Sequence, residues 1–184
     1  MIKLSIDKSI IDHSVWLVDN VNYGQRGNAD GDRKQQVRGM IGQCMVMDIL
    51  GYELPQITHQ HDGGIDINYN GLTIDVKTMG RNCDPKPEYV NNLIGLQSHF
   101  DVNAYIFCSI NRKDITLTIC GWIDKGDFLK LAEFTPKDEY RTRSDGTRFQ
   151  TKADLYELQN NMLNNVDTID ELKIGLNNAA KVSK

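Results

Sequence analysis

The sequence predicts an α/β or α+β domain, with a mixed central sheet flanked by helices. Three observations carry this. A well-capped helical pattern spans 32–50, a hairpin pattern spans 65–77, and β-rich runs at 103–110 and 115–123 precede a helical tail. With 184 residues, 40% hydrophobic and 25% charged, the chain fits a single domain able to bury a core. Its longest apolar runs, such as "AYIFCSI", are too short for a bilayer. The opening "MIKLSIDKSIIDHS" lacks the unbroken apolar stretch of a signal peptide, so a cytoplasmic location is expected. The net charge of −4 gives no global basic field, although a local patch would suffice for nucleic acid. Cys44, Cys83, Cys108 and Cys120 show no CxxC spacing, which favours buried free thiols over zinc knuckles or a disulfide framework.

The helix over 32–50 begins at Asp32, a good acceptor for the first free amides. Val37, Met40, Ile41 and Cys44 form the buried stripe, and Gly51 is the stop. Gly39 and Gly42 share a side with Gln43, and each glycine costs roughly 0.5–1 kcal/mol against alanine inside a helix. Bare surface there implies close approach, either of substrate or of a strand in tight helix-on-sheet packing.

The hairpin follows from Asn70-Gly71, whose positive-φ preference suits a type I′ turn. Tyr69 then pairs with Leu72, and pairing outward sets Asp66 across from Asp75 and Lys77 across from Gly64. Ile65, Ile67, Tyr69, Leu72, Ile74 and Val76 fall on the other, core face. Further on, residues 111–114 form a polar turn between two strands, and "KGDFLKLAEF" a short helix. "YRTRSDGTRFQTK" reads as a polar loop or ragged hairpin around Asp145-Gly146. Helices are expected near 153–164 and 168–180, the second with a capping box of Thr168 and Glu171.

Asp66, Asp75 and Lys77 thus share one strand face. Opposed residues hold their Cβ atoms about 4.5–5.5 Å apart, where like charges are destabilising. A divalent cation relieves the repulsion, and Mg²⁺ favours one or two carboxylates together with waters and phosphates. Lys77, one strand repeat from Asp75, can position a water or steady charge on a phosphate. Gly63 and Gly64 leave room opposite it for a ligand. The plainer reading is an acidic, solvated strand face, against which stands the poor strand propensity of Asp and Lys.

For DNA contact, Arg26, Arg33, Lys34 and Arg38 lie near the start of the first helix. Arg141, Arg143 and Arg148 lie in the later loop with Tyr140 and Phe149, and Arg81 and Lys86 just beyond the Lys77 strand. His59, His61 and Asp62 lack a third histidine at useful spacing, which leaves His61 as a supporting group beside the site. Nucleotide-binding and serine-hydrolase signatures are absent from the sequence.

These residues resemble the PD-(D/E)xK nuclease superfamily of restriction-endonuclease-like fold. "GGID" ending at Asp66 matches the first acid, Asp75-Val76-Lys77 the second element, "VRGMIGQC" the preceding helix, and "LTICGWIDKGDF" a later strand and turn of phage and prokaryotic members. The likeness covers about 33–134 of a single domain, with a helical C-terminal extension. It departs at Ile65, where the family name has proline, and at Gln43, where many members carry a metal-binding glutamate. The resemblance implies a metal-dependent nuclease hydrolysing DNA phosphodiester bonds, most simply an endonuclease. Asp66, Asp75 and the main-chain carbonyl of Val76 would hold Mg²⁺, with Mn²⁺ as substitute. Lys77 would orient the attacking water and Gln43 would assist. Double-stranded or branched DNA is the implied partner, and cutting both strands with one site per chain favours a homodimer. The Gln43 replacement keeps open a weak or inactive nucleic-acid- or protein-binding module on the same fold. A hydrolase of small phosphoesters is a further alternative.

Overall fold

The computed structural model describes residues 1–21, 23, 31–57, 63–142 and 146–182. In chain order these form β1 (Ile2–Ser5), α1 (Lys8–Asn20), α2 (Arg33–Leu50), β2 (Ile67–Tyr69), β3 (Leu72–Arg81) and β4 (Val90–Ile94). Then come β5 (Ala104–Asn111), β6 (Thr116–Asp124), α3 (Lys125–Leu131), β7 (Glu133–Thr135), β8 (Tyr140–Thr142), β9 (Arg148–Gln150), β10 (Leu155–Gln159) and α4 (Ile169–Val182).

Five strands make the main sheet, in the order β1-β6-β5-β3-β2. Its β3–β5 seam is parallel and the other pairs are antiparallel, so the sheet is mixed and the fold α+β. One face takes the helical layer: Leu17 of α1, Cys44 and Val46 of α2, and Leu172 and Leu176 of α4 belong to one core with Ile74, Ile106 and Ile119. On the other face Tyr105, Phe107, Cys120 and Ile123 pack with Phe128 of α3, Leu93 of β4 and Leu158 of β10. That side is covered by a second sheet of order β4-β10-β7.

The expected helix over 32–50 forms as α2. Asp32 accepts from the Gln35 amide while the Gln35 side chain accepts from Asp32 N–H, and Gly51 closes the helix at φ 86°. The strands at 103–110 and 115–123, the short helix after them, and the helix over 168–180 with its Thr168 cap are likewise present. The polar stretch around Gly146 is the β8–β9 hairpin.

Two expectations are corrected. Residues 153–164 hold no α-helix; β10 runs there and pairs with both β4 and β7. Tyr156 and Leu158 turn toward the core while the intervening Glu157 meets Arg141 at 2.5 Å, a two-residue alternation. The region after 134 is therefore part β-sheet and not a purely helical extension. Of the cysteines, Cys44, Cys108 and Cys120 are buried but Cys83 is exposed, because it lies in the polar turn past β3.

Candidate active site

The hairpin turn forms as expected, with Asn70 at φ 54° and Gly71 at φ 93°. The Asn68 carboxamide oxygen accepts from Gly71 N–H at 3.0 Å and pins it. Pairing of Tyr69 with Leu72, Asn68 with Thr73 and Ile67 with Ile74 keeps the expected register. Ile67, Tyr69, Leu72, Ile74 and Val76 are buried on the helical side.

The ladder ends at Ile67. Gly63 and Gly64 adopt φ values of 68° and 84°, so the chain turns just ahead of the strand. Asp66 sits where strand geometry gives way. Its N–H donates to Ile74 O at 2.9 Å, and its carboxylate Oδ2 accepts from Val76 N–H at 2.7 Å. A side chain thus takes the place that the next strand carbonyl would have filled, and the carboxylate is held against the Asp75–Val76 peptide. Residues of a strand present N–H and C=O to the same edge, so the Val76 carbonyl faces the edge that β2 leaves at Ile67.

Three sequence expectations fail at this point. Asp66 and Asp75 are not an opposed ladder pair, nor are Gly64 and Lys77, because the ladder ends at Ile67 and the Asp66 carboxylate turns to the Val76 amide. Ile65 packs with the second core and not with the helical one, because the turn at 63–64 breaks the alternation. Gly64 does not leave ligand space opposite Lys77: a Cβ there would overlap the Phe100 ring, which fills the position.

Asp75 and Lys77 lie on the face toward the second sheet, matched in the parallel ladder to Tyr105 and Phe107. Asp75 is 2% exposed. The Lys77 ammonium stands 2.7 Å from its Oδ2, so this carboxylate already has a cation. The Tyr105 hydroxyl is buried without a hydrogen-bond partner among the described residues. Burial first, and the Asp75 charge second, hold its pKa above the usual phenol value.

Gln43 reaches the same edge from α2. Its amide Nε2 donates to Asp66 O at 3.4 Å, the long end of a hydrogen bond. The glycine beside it owes its place to packing: a Cβ on Gly42 would overlap Thr78 Oγ1 of β3, whereas one on Gly39 would meet nothing within 4 Å. Asp66, Asp75, Val76, Lys77 and Gln43 are thereby gathered around one stretch of β3. Among the described residues no set of three His, Cys, Asp or Glu side chains converges. The oxygen donors on this stretch, two carboxylates and a main-chain carbonyl, are of the hard type that Mg²⁺ takes.

The basic candidates differ in their commitments. Arg33 pairs with Asp19 at 2.6 Å, and Lys34 is exposed beside it. Arg38 donates from Nε to Lys34 O and lies against Gly80. Arg81 turns back to donate to Val90 O at 2.7 Å, with its guanidinium 4.8 Å from the Tyr89 ring centre. The Lys86 ammonium is 6.0 Å from the same ring. Arg141 serves Glu157 and Glu133, and Arg148 lies over Tyr140 at 4.2 Å. Arg26, His59, His61, Asp62 and Arg143 lie outside the described residues.

Sequence reasoning missed Tyr105 and Phe100 as site neighbours. Tyr105 becomes one only through the parallel β3–β5 register, and no turn residue encodes that register. Comparisons with protein-family models, with curated proteins and with solved structures give no match for the chain.

Proposed function

We propose that the chain is a restriction-endonuclease-like, Mg²⁺-dependent nuclease that hydrolyses phosphodiester bonds of DNA at the edge of β3. The observation that carries this reading is the Asp66 carboxylate seated on the Val76 amide, next to the buried Asp75–Lys77 pair. Asp66, Asp75 and the Val76 carbonyl would hold the ion, Mn²⁺ serving in its place. When bound, the ion supplies acidification of water and neutralisation of phosphate charge. Lys77 has three N–H donors, of which Asp75 takes one, so the ammonium can orient a water while its own direction stays fixed. The Val76 amide holds Asp66 in place. Gln43 fixes the main chain of Asp66 through its amide, which makes it a positioning residue.

That same use of Gln43 favours a second reading. Its amide is engaged as a donor to a carbonyl, and Asp75 is already neutralised by Lys77. Both suit a nucleic-acid-binding module without cleavage.

Asp66→Asn tests between them. The amide keeps an acceptor for Val76 N–H while removing a charge, so the fold is expected to persist. Removing Lys77 instead would strand a buried carboxylate, at a cost of about 3–5 kcal/mol. Nicking of supercoiled plasmid in Mg²⁺ is expected to fall on the order of 10²-fold or more. Full nicking by the variant would refute the nuclease assignment, and DNA binding in EDTA with no nicking by the wild type would favour the module.

A further inference from the structure

The edge of β3 continues past this site. Thr78 and Gly80 follow Val76 at two-residue steps, so their N–H groups face the same side. Beyond Ile74 no described strand pairs there. Arg38, one turn before Gly42 on α2, lies over this stretch. Its guanidinium occupies the place of the missing side chain at residue 80: a Cβ on Gly80 would overlap Nη1 and stand 2.7 Å from Cδ. Nε donates to Lys34 O at 3.0 Å, which sets the plane of the fork.

No carboxylate pairs with Arg38 among the described residues, in contrast to Arg33 with Asp19 and Arg141 with Glu157. An arginine keeps its charge at any ordinary pH, and its planar fork matches phosphate oxygens two at a time. Pinned by packing and not by a counter-ion, this one loses little further freedom on meeting an anion.

We propose that Arg38, laid across Gly80, forms with the main-chain N–H groups of Thr78 and Gly80 a phosphate subsite for a nucleic-acid strand running along the edge of β3. Gly80 is about 13 Å along the strand from Val76. The subsite therefore takes a neighbouring phosphodiester and not the scissile one. The inference rests on the nuclease reading for the course of the strand.

The experiment measures binding of a short fluorescein-labelled DNA by anisotropy in EDTA, across a salt series, with the full chain. Arg38→Ala is expected to reduce the slope of log affinity against log salt by about 1. Gly80→Ala should do the same although it removes no charge, because it evicts the guanidinium. Lys8→Ala, which removes an α1 cation paired with Asp12, should leave the slope unchanged. An unmoved slope in Arg38→Ala, an equal loss in Lys8→Ala, or no DNA affinity in the wild type overturns the subsite. Cleavage is not read in EDTA, so the two proposals separate. The expected slopes without Mg²⁺-dependent nicking would sink the nuclease reading alone, and Asp66-dependent nicking with an unmoved slope would sink the subsite alone.

Discussion

At Cys44 and Cys120 the surrounding apolar side chains disfavour the thiolate and push the thiol pKa up to about 11 and about 12. Cys108, fully enclosed, is raised well above the ordinary value for the same reason, with Cys120 adding to it. Cys83 is exposed. The thiolate is the reactive species, so Ellman's reagent should label one thiol rapidly in the native protein and all four after unfolding in guanidinium. Rapid labelling of three or four would contradict the burial. Cys83 could have been set apart on sequence grounds, since it stands between Asn82 and Asp84, whereas Cys44 lies on the apolar stripe of its helix and Cys108 and Cys120 lie in β-rich runs. Asp66 shows the reverse case. Its position followed from the turn at Asn70-Gly71, but its hold on the Val76 amide depends on where the ladder stops, and that is decided by Gly63 and Gly64 against Phe100.

The two glycines of α2 make opposite predictions about an element. Gly42→Ala forces a methyl group into Thr78 and should lower stability by about 1–3 kcal/mol. Gly39→Ala meets open space and should raise it by about 0.5–1 kcal/mol through helix propensity. Urea denaturation of both variants checks the pair, and equal shifts would mean that α2 does not cross β3 as described. Elements with strong local signals were legible: α2 from its cap and stop, the β2–β3 hairpin from its turn, β5 and β6 from their composition. Where packing decides, the sequence misled. "DLYELQNNML" places apolar residues at spacings compatible with a helix. It becomes β10 because β4 and β7 supply partners on both sides, and Arg141 donates to the buried Glu157 carboxylate. The sequence pattern predicts no element at β1 or α1, although Asp7 caps α1 by accepting from Ser9 N–H at 2.8 Å.

For the molecule as a whole, the sheet is enclosed by helices on one face and a second sheet on the other, and its margins are tied by polar contacts. Lys3 of β1 meets Asp84, just past β3, at 2.6 Å, and Asn111 of β5 meets the same carboxylate at 2.9 Å. Hydrogen bonds from Lys3 and Asn111 hold the Asp84 pKa below its ordinary 3.8. The Ser9 amide and hydroxyl do the same for Asp7. For a carboxyl whose folded pKa is depressed, the stabilisation is complete above the unfolded value and is lost as pH falls through the folded one. Asp124 opposes them, because burial raises its pKa and protonation then favours the folded state. The N-terminal ammonium lowers Asp167 likewise, so with three depressed groups against one raised, the melting temperature followed by circular dichroism should fall between about pH 5 and about pH 3, and a flat profile would contradict it. The stretch of β3 that no described strand pairs has a consequence of another kind. An unpaired strand margin invites pairing with a second copy of the chain, and charge set on that margin is a common defence. The cation spread over Gly80 gives this margin such a guard, so the residue assigned to grip a polyanion would also discourage the protein from adhering to itself.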